Sequence, residues 1–297
     1  MSAIEINKIC KTYPGGVNAL CDVSLSVEKG EIFGLLGPDG AGKTSLFRIL
    51  TTLQLPDSGR ARVAGHDVVT DYEAVRAKSG YMPERFSLYG DLSIEENLNF
   101  FASIFGGKIE DNFDMIEPIY KQIEPFRKRK ASKLSGGMKQ KLALCCALIH
   151  KPDVLFLDEP TTGVDAVSRS EFWDMLSDIK KTGLPVLVST PYMDEASRCD
   201  RIALMGNGRI LASGTLSEIL NRYNVPMLRI WGANPYETLK KVRENPEISR
   251  ALLFGSEVHA FPRKDAFVSI AGCKVEKALP GIEDIFITLN DGTQSDN

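Results

Sequence analysis

The sequence predicts an α/β fold organised around a parallel sheet, with alternating strands at its start, a helical insertion, and a small α+β domain at its end. Three observations carry that expectation. A continuous apolar run, Ile32-Phe33-Gly34-Leu35-Leu36, leads into a glycine-rich loop and a helix, as a strand buried on both faces does. Apolar strands at 154–157 and 185–189 flank a helix at 167–180, a βαβ unit of the kind that builds parallel sheets. Past residue 220 the pattern turns into a compact mixture of short strands and helices.

The elements follow in order. Ile4-Glu5-Ile6 and Val23-Ser24-Leu25-Ser26-Val27 alternate and read as strands. The helix after the glycine-rich loop should run over 43–53, and Pro56-Asp57-Ser58-Gly59 is a turn by composition. Short strands are expected at 60–63 and 68–69, around Gly65-His66-Asp67. From about 85 to 150 the character is helical, with periodic stretches at 94–105 and 113–123 and a third helix at 135–149 opened by Ser135 as N-cap. The last part reads as a strand at 227–231, a helix at 236–244, strands near 251–254, 257–261 and 267–270, and a helix at 282–289. The expected division is a domain over 1–220 and an accessory domain over 221–297.

Composition excludes several classes. With 297 residues, 43% apolar and 25% charged, the chain has core material for two domains and is neither disordered nor collagen-like. A net charge of −3 supplies no long-range field for gathering nucleic acid, and the basic run Arg127-Lys128-Arg129-Lys130 reads as a solvated face. No apolar stretch reaches membrane-spanning length, and the polar start Met1-Ser2-Ala3-Ile4-Glu5 lacks the features of a signal peptide, so a cytosolic chain is expected. The six cysteines form no Cys-x-x-Cys pair and read as reduced, mostly buried residues. Three histidines, His66, His150 and His259, are too scattered to suggest a metal cluster.

Chemistry concentrates in three segments. Gly37-Pro38-Asp39-Gly40-Ala41-Gly42-Lys43-Thr44 fits the P-loop pattern, after a buried strand and at the opening of a helix. Its glycines let successive backbone N–H groups face phosphate oxygens, and the helix N-terminus adds positive potential. Lys43 is placed to reach the β- and γ-phosphates, Thr44 to ligate Mg²⁺, and Ser45 to stand beside them in the same turn. Val154-Leu155-Phe156-Leu157-Asp158-Glu159 is an apolar strand ending in two carboxylates. Asp158 suits coordination of Mg²⁺ through water and Glu159 suits a general base for an attacking water. Leu134-Ser135-Gly136-Gly137 places a serine cap and two glycines at a second helix start, a further site for phosphate.

Leu-Ser-Gly-Gly, with Gly137 standing 18 residues before Leu155, resembles the signature of ABC-type ATPases, and the resemblance covers residues 1 to about 220. It implies a P-loop NTPase core of the RecA type, an antiparallel β subdomain and a helical subdomain over about 85–150. Tyr13, 24 residues ahead of Gly37, resembles the aromatic that stacks on adenine, and Gly163-Val164-Asp165 resembles the D-loop. Asp194-Glu195-Ala196 and Gly208-Arg209-Ile210 match the segment that follows the switch histidine. In this family two nucleotide-binding domains pack head to tail. Each ATP then lies between one P-loop and the opposite domain's Ser135-Gly136-Gly137 equivalent, so the resemblance implies a partner domain.

Two positions depart from the pattern. The glutamine expected after Gly80-Tyr81-Met82-Pro83 is Glu84, and the histidine expected after Ser189-Thr190 is Pro191. Glu84 adds an anion beside the triphosphate, although its oxygens suit Mg²⁺. Proline offers neither a side-chain donor nor a backbone N–H to a γ-phosphate. The site built on Lys43 is therefore expected to bind ATP and hydrolyse it slowly, with Glu159, Asp158 and Lys43 as its catalytic groups. The intact Ser135-Gly136-Gly137 segment is expected to complete a competent site on a partner.

The resemblance further implies an ATPase subunit on the cytoplasmic face of a membrane, working with integral membrane subunits. Arg85-Phe86-Ser87-Leu88-Tyr89 and Glu283-Asp284-Ile285-Phe286 resemble multidrug or sodium exporters with separate membrane subunits, in particular the degenerate N-terminal half of tandem ATPases. The aromatic segment 86–101 matches the family's membrane-subunit contact region. A largely non-hydrolytic regulatory module is the competing expectation. A ribosome- or DNA-associated ATPase is disfavoured by the acidic balance and the lack of a long coiled-coil insertion.

Overall fold

The structure is a computed structural model that describes residues 2–85, 88–223, 225–264 and 268–292. It forms two compact units, residues 1–215 and 216–297.

In the first unit, β1 (Ser2–Tyr13) and β2 (Val17–Glu28) pair antiparallel, and β3 (Ile32–Leu36) leads through the glycine-rich loop into α1 (Lys43–Leu50). β4 (Ser58–Val63) and β5 (His66–Asp67) join β1 and β2 in one sheet of order β2-β1-β4-β5. Then come α2 (Tyr72–Lys78) and β6 (Ser79–Met82). The helical segment supplies α3 (Ile94–Ile104), α4 (Phe113–Ile123) and α5 (Gly136–Leu148). The chain returns through β7 (Val154–Asp158), α6 (Ala166–Lys180), β8 (Val186–Thr190), β9 (Arg201–Gly206) and β10 (Arg209–Gly214). A six-stranded sheet results, in the order β10-β9-β3-β8-β7-β6, with β3, β6, β7, β8 and β9 parallel.

Every residue of β3, β7 and β8 is buried, because the sheet is covered on both faces. The pleat sends alternate side chains to opposite cores. Leu155, Leu157, Val186 and Val188 join the core built with α3, α4, α5 and α6. Val154, Phe156 and Leu187 join Phe33, Leu35, α1 and the antiparallel sheet, where Phe47 meets Phe156 edge to face at 6.1 Å. α2, β6, β9 and β10 were not anticipated. Ser79-Gly80-Tyr81-Met82 is too short and mixed to read as a strand, and it gains its burial from β7 and α5.

In the helical segment, Ser93 and Glu96 form a capping box at the start of α3: Ser93 Oγ accepts from Glu96 N, and Glu96 Oε2 accepts from Ser93 N at 2.7 Å. Asn97, fully buried, clamps the preceding loop. Its Oδ1 accepts from Tyr89 N at 2.9 Å, and its Nδ2 lies within bonding distance of the carbonyls of Tyr89, Leu92 and Ser93.

The second unit contains α7 (Leu216–Arg222), β11 (Met227–Trp231), α8 (Pro235–Arg243), β12 (Ile248–Phe254), β13 (Glu257–Pro262), β14 (Lys274–Ala278) and α9 (Ile282–Gly292). Its antiparallel sheet has the order β12-β13-β11-β14. The strand expected at 267–270 is corrected here: Val268 and Ile270 fill the core without joining a ladder, and Phe267 lies outside the described residues. The fourth strand is β14, whose three charged residues conceal its alternation and suit the edge it occupies. α9 is tied to the sheet through Asp284 Oδ1, 2.7 Å from His259 Nδ1. Among the described residues no helix is long and apolar enough to cross a membrane.

Asn97→Ala would take the acceptor from Tyr89 N, while the carbonyls of Tyr89, Leu92 and Ser93 keep their backbone donors Leu92 N, Ala131 N and Asn97 N, a cost of about 1–2 kcal/mol. The expected outcome is a lower urea midpoint for the helical segment, read by limited proteolysis between residues 88 and 97; an unchanged midpoint contradicts the clamp.

Candidate nucleotide site

Strand register assembles the site. Leu36 stands opposite Thr190, Asp158 opposite Ser189, and Leu157 opposite Met82. The loops that leave β3, β8, β7 and β6 therefore open at one carboxyl edge, where open α/β sheets bind ligands. Residues 37–45, Pro191, Glu159 and Glu84 converge there from distant parts of the chain.

The glycine-rich loop is held from below. Gly37 N donates to Thr190 O at 3.2 Å, and a Cβ on Gly37 would lie 2.2 Å from Met205 O. Gly40 and Gly42 have φ of 78° and 106°, the left-handed region that glycine enters without a Cβ penalty. A Cβ on Gly42 would meet Ala19 O at 2.4 Å. Ala41 N donates to Pro38 O and Ala41 O accepts from Gly208 N, so the turn between β9 and β10 braces the loop. Pro38, Asp39 and Gly40 remain exposed, with Thr44 and Ser45 half-buried in the first turn of α1.

Lys43 is 3% exposed and fully engaged. Its Nζ donates to Gly37 O at 2.7 Å and Pro38 O at 3.0 Å and pairs with Glu159 Oε1 at 2.9 Å. An ammonium has three protons, and here three acceptors take them. Glu159 sits at φ 50°, and its second oxygen accepts from Thr162 Oγ1 at 3.3 Å. Lys43 and Glu159, 116 positions apart in sequence, thus meet at the centre of the edge.

Asp158 is fully buried. Burial pushes its carboxyl above the usual range, while the Ser189 and Thr44 hydroxyls pull it back. Ser189 Oγ donates to Asp158 Oδ1 at 2.7 Å, whereas Asp158 Oδ2 is buried with no hydrogen-bond partner. A buried carboxylate oxygen left free next to a threonine hydroxyl fits a hard divalent cation such as Mg²⁺. Glu84 is exposed, and its negative charge adds to the pressure on Asp158.

Tyr13 lies half-buried beside α1, its hydroxyl 3.1 Å from Ser45 Oγ and donating to Gln54 Oε1 at 2.8 Å. The segment after β8 is organised by Arg169. Thr190 Oγ1 accepts from Tyr192 N, the Arg169 guanidinium lies 4.8 Å from the Tyr192 ring centroid, and the same side chain pairs with Asp194 at 2.7 Å. His150 Nε2 is instead engaged with Ser79 O and its ring stacks on Phe105, while His66 lies in β5.

Ser135 Oγ accepts from Met138 N at 3.3 Å and caps α5, leaving Ser135 and Gly136 exposed. Gly137 answers to packing: a Cβ there would lie 2.7 Å from Ser168 Oγ on α6. Asp165 caps α6 by accepting from Val167 N and Ser168 N. Sequence reasoning missed Gln140, whose buried Nε2 donates to Pro160 O at 2.6 Å and ties α5 to the turn after Glu159. It also missed Ser189, a hydroxyl at the end of an apolar strand, whose importance depends on register. Of the aromatic segment 86–101, Phe86 and Ser87 lie outside the described residues; Leu88 and Phe101 pack on the helical core.

Known proteins are similar to this chain in sequence and in fold. The ABC transporter family model matches residues 20–162. The Nod factor export ATP-binding protein I of Paraburkholderia xenovorans is 34% identical over 97% of both chains. The chain belongs to the ABC transporter ATP-binding proteins. Within that family, the multidrug ABC transporter ATP-binding protein YbhF of Escherichia coli, described as probable, is 36% identical over 98% of this chain. The chain spans about half the length of that relative, 52%. The doxorubicin resistance ATP-binding protein DrrA of Mycobacterium tuberculosis is 40% identical over 74% of this chain and 68% of its own. Among solved structures, an ATP-binding subunit of an ABC transporter superposes with TM-score 0.68 at 28% identity, over 75% of this chain and 93% of its own. The ATP-binding cassette MJ0796, a dimer bound to ADP and Pi, superposes with TM-score 0.64 at 25% identity, over 72% and 98%. The P-loop core with its antiparallel and helical subdomains is the ABC cassette fold.

Gly37→Ala would press a methyl group against the Met205 carbonyl, an overpacking worth about 1–3 kcal/mol. Scanning calorimetry should show a melting temperature lowered by several degrees; an unchanged value contradicts the tight approach of the loop to β9.

Proposed function

We propose that this ABC ATP-binding protein is the ATP-hydrolysing subunit of an exporter-type transporter, and that its own P-loop site binds ATP with Mg²⁺ but turns it over slowly. Backbone N–H groups of residues 37–45 receive the phosphates, and Tyr13 offers its ring to adenine. Lys43 leaves the Gly37 and Pro38 carbonyls and Glu159 for the β- and γ-phosphates. Thr44 and Asp158 would hold Mg²⁺, and the Glu84 carboxylate adds oxygens of a type suited to it. The cation neutralises charge on the phosphate oxygens. Glu159, released from Lys43, polarises the attacking water.

The observation that carries the slow turnover is Pro191. Thr190 O already accepts from Gly37 N, so the residue after Thr190 stands beside the phosphate loop. There the chain presents a ring without any donor, and the Arg169 side chain is committed to Tyr192 and Asp194. Electrostatic stabilisation of the transition state is weakened where a donor is missing. The exposed Ser135 and Gly136 support a role in completing the site of a second nucleotide-binding domain, and the likeness to export ATP-binding proteins supports pairing with integral membrane subunits at the cytoplasmic face. A second reading, a module that binds ATP and scarcely hydrolyses it, is favoured by the Lys43–Glu159 pair, which keeps the base occupied until phosphate displaces it.

Pro191→His combined with Glu84→Gln, in a sample dimerised with its partner domain, should raise ATPase turnover by at least about tenfold, since removal of one such donor costs about 10²- to 10³-fold. Turnover unchanged by both substitutions contradicts the proposal.

A further inference from the structure

We infer that Ser189 is a positioning residue for the divalent cation: it aims Asp158 by occupying one carboxylate oxygen and leaving the other free. The inference rests on the proposed Mg²⁺ and nucleotide site, and it assigns a role to a residue that the sequence motifs named only as a flank.

The hydrogen-bond logic at Ser189 permits one arrangement. Glu159 N is 2.9 Å from Ser189 Oγ, and a backbone N–H can only donate. The Ser189 oxygen therefore spends a lone pair on Glu159, and its single proton points elsewhere. That proton goes to Asp158 Oδ1 at 2.7 Å. One hydroxyl, fully buried, thus bridges the two acidic residues, holding the side chain of the first and the backbone of the second. The parallel pairing of Asp158 with Ser189 makes the bridge possible, since it brings the two residues abreast.

The consequence lies at Oδ2. Asp158 Oδ2 is buried and has no partner, and leaving such an atom unpaired is costly unless a ligand completes it. With Oδ1 pinned by Ser189, rotation of the carboxylate about its last bond would break a buried charge-assisted hydrogen bond. The Thr44 hydroxyl of α1 acts on the same carboxyl, so the pinned carboxylate and the threonine proposed to hold the cation stand together. Partners of metal-ligating side chains act in this way generally: they fix orientation, and losing one weakens metal affinity by about 10- to 100-fold.

Ser189→Ala removes the proton that pins Oδ1. It leaves Glu159 N a second acceptor, Ser189 O at 3.2 Å, so the backbone at Glu159 keeps a partner. The variant thus separates aim of the carboxylate from support of the turn.

The test uses the full chain, ADP and Mn²⁺. Mn²⁺ binding to the ADP complex is read by electron paramagnetic resonance, and ADP binding in the presence of a chelator is read by calorimetry. Ser189→Ala should raise the half-saturating Mn²⁺ by about tenfold or more while metal-free ADP affinity stays within about twofold. Ser189→Thr, which restores a hydroxyl, should recover most of the Mn²⁺ affinity; if its added methyl prevents folding, Ser189→Cys, a weak donor, should fall between wild type and alanine. Equal Mn²⁺ affinity in wild type and alanine variant overturns the inference, as does an equal loss with and without metal. Failure of the wild-type chain to bind ADP and Mn²⁺ at all overturns the proposed site itself.

Discussion

The alignment of strand ends in the parallel sheet governs everything else in this cassette. Leu36, Thr190, Ser189 and Asp158 lie abreast on β3, β8 and β7, and the hydrogen bonds among them and the next residues link the phosphate loop to the acidic pair. Slipping one strand by a residue would turn its core side chains to the opposite face. The two apolar cores that sandwich the sheet, alternating along β7 and β8, therefore hold the chemistry in register.

On that frame the charged groups are arranged in pairs that a ligand can rearrange. Lys43 is satisfied by two loop carbonyls and Glu159, a buried ion pair with its hydrogen bonds complete. Asp158 is satisfied on one oxygen only. The first arrangement holds the loop; the second leaves a buried carboxylate oxygen whose chemistry suits a cation. Binding of a phosphate and a cation would exchange one set of partners for another, and would free Glu159 at the moment a water has to be activated. Pro191 enters at the same edge beside Gly37, whose N–H is already given to Thr190 O, and brings no donor of its own.

Much of this was legible in sequence where apolar runs and glycine spacing are dense. Ile32–Leu36, the loop through Lys43, and Val154–Asp158 announced a buried strand, a phosphate cradle and an acidic strand end. Less legible were elements whose burial comes from neighbours: β6 is a four-residue mixture completed by β7, and β14 alternates behind lysines and a glutamate. The 268–270 stretch misled because apolar alternation marks burial, and burial came without strand pairing. In the site, motif residues were visible, while Ser189, Thr162 and Gln140 were not. Each acts through a contact 3 to 31 positions away in the chain, and an unremarkable polar residue carries no trace of such a contact.

The central claim is that the site on Lys43 retains ATP while hydrolysis proceeds elsewhere. It is tested most directly by identifying the nucleotide held at that site after many turnovers of the chain with its partner domain, using photolabelling by azido-ATP and peptide mapping at Tyr13. The account predicts that the label recovered there is the triphosphate. Recovery of the diphosphate, in step with phosphate release, would contradict it.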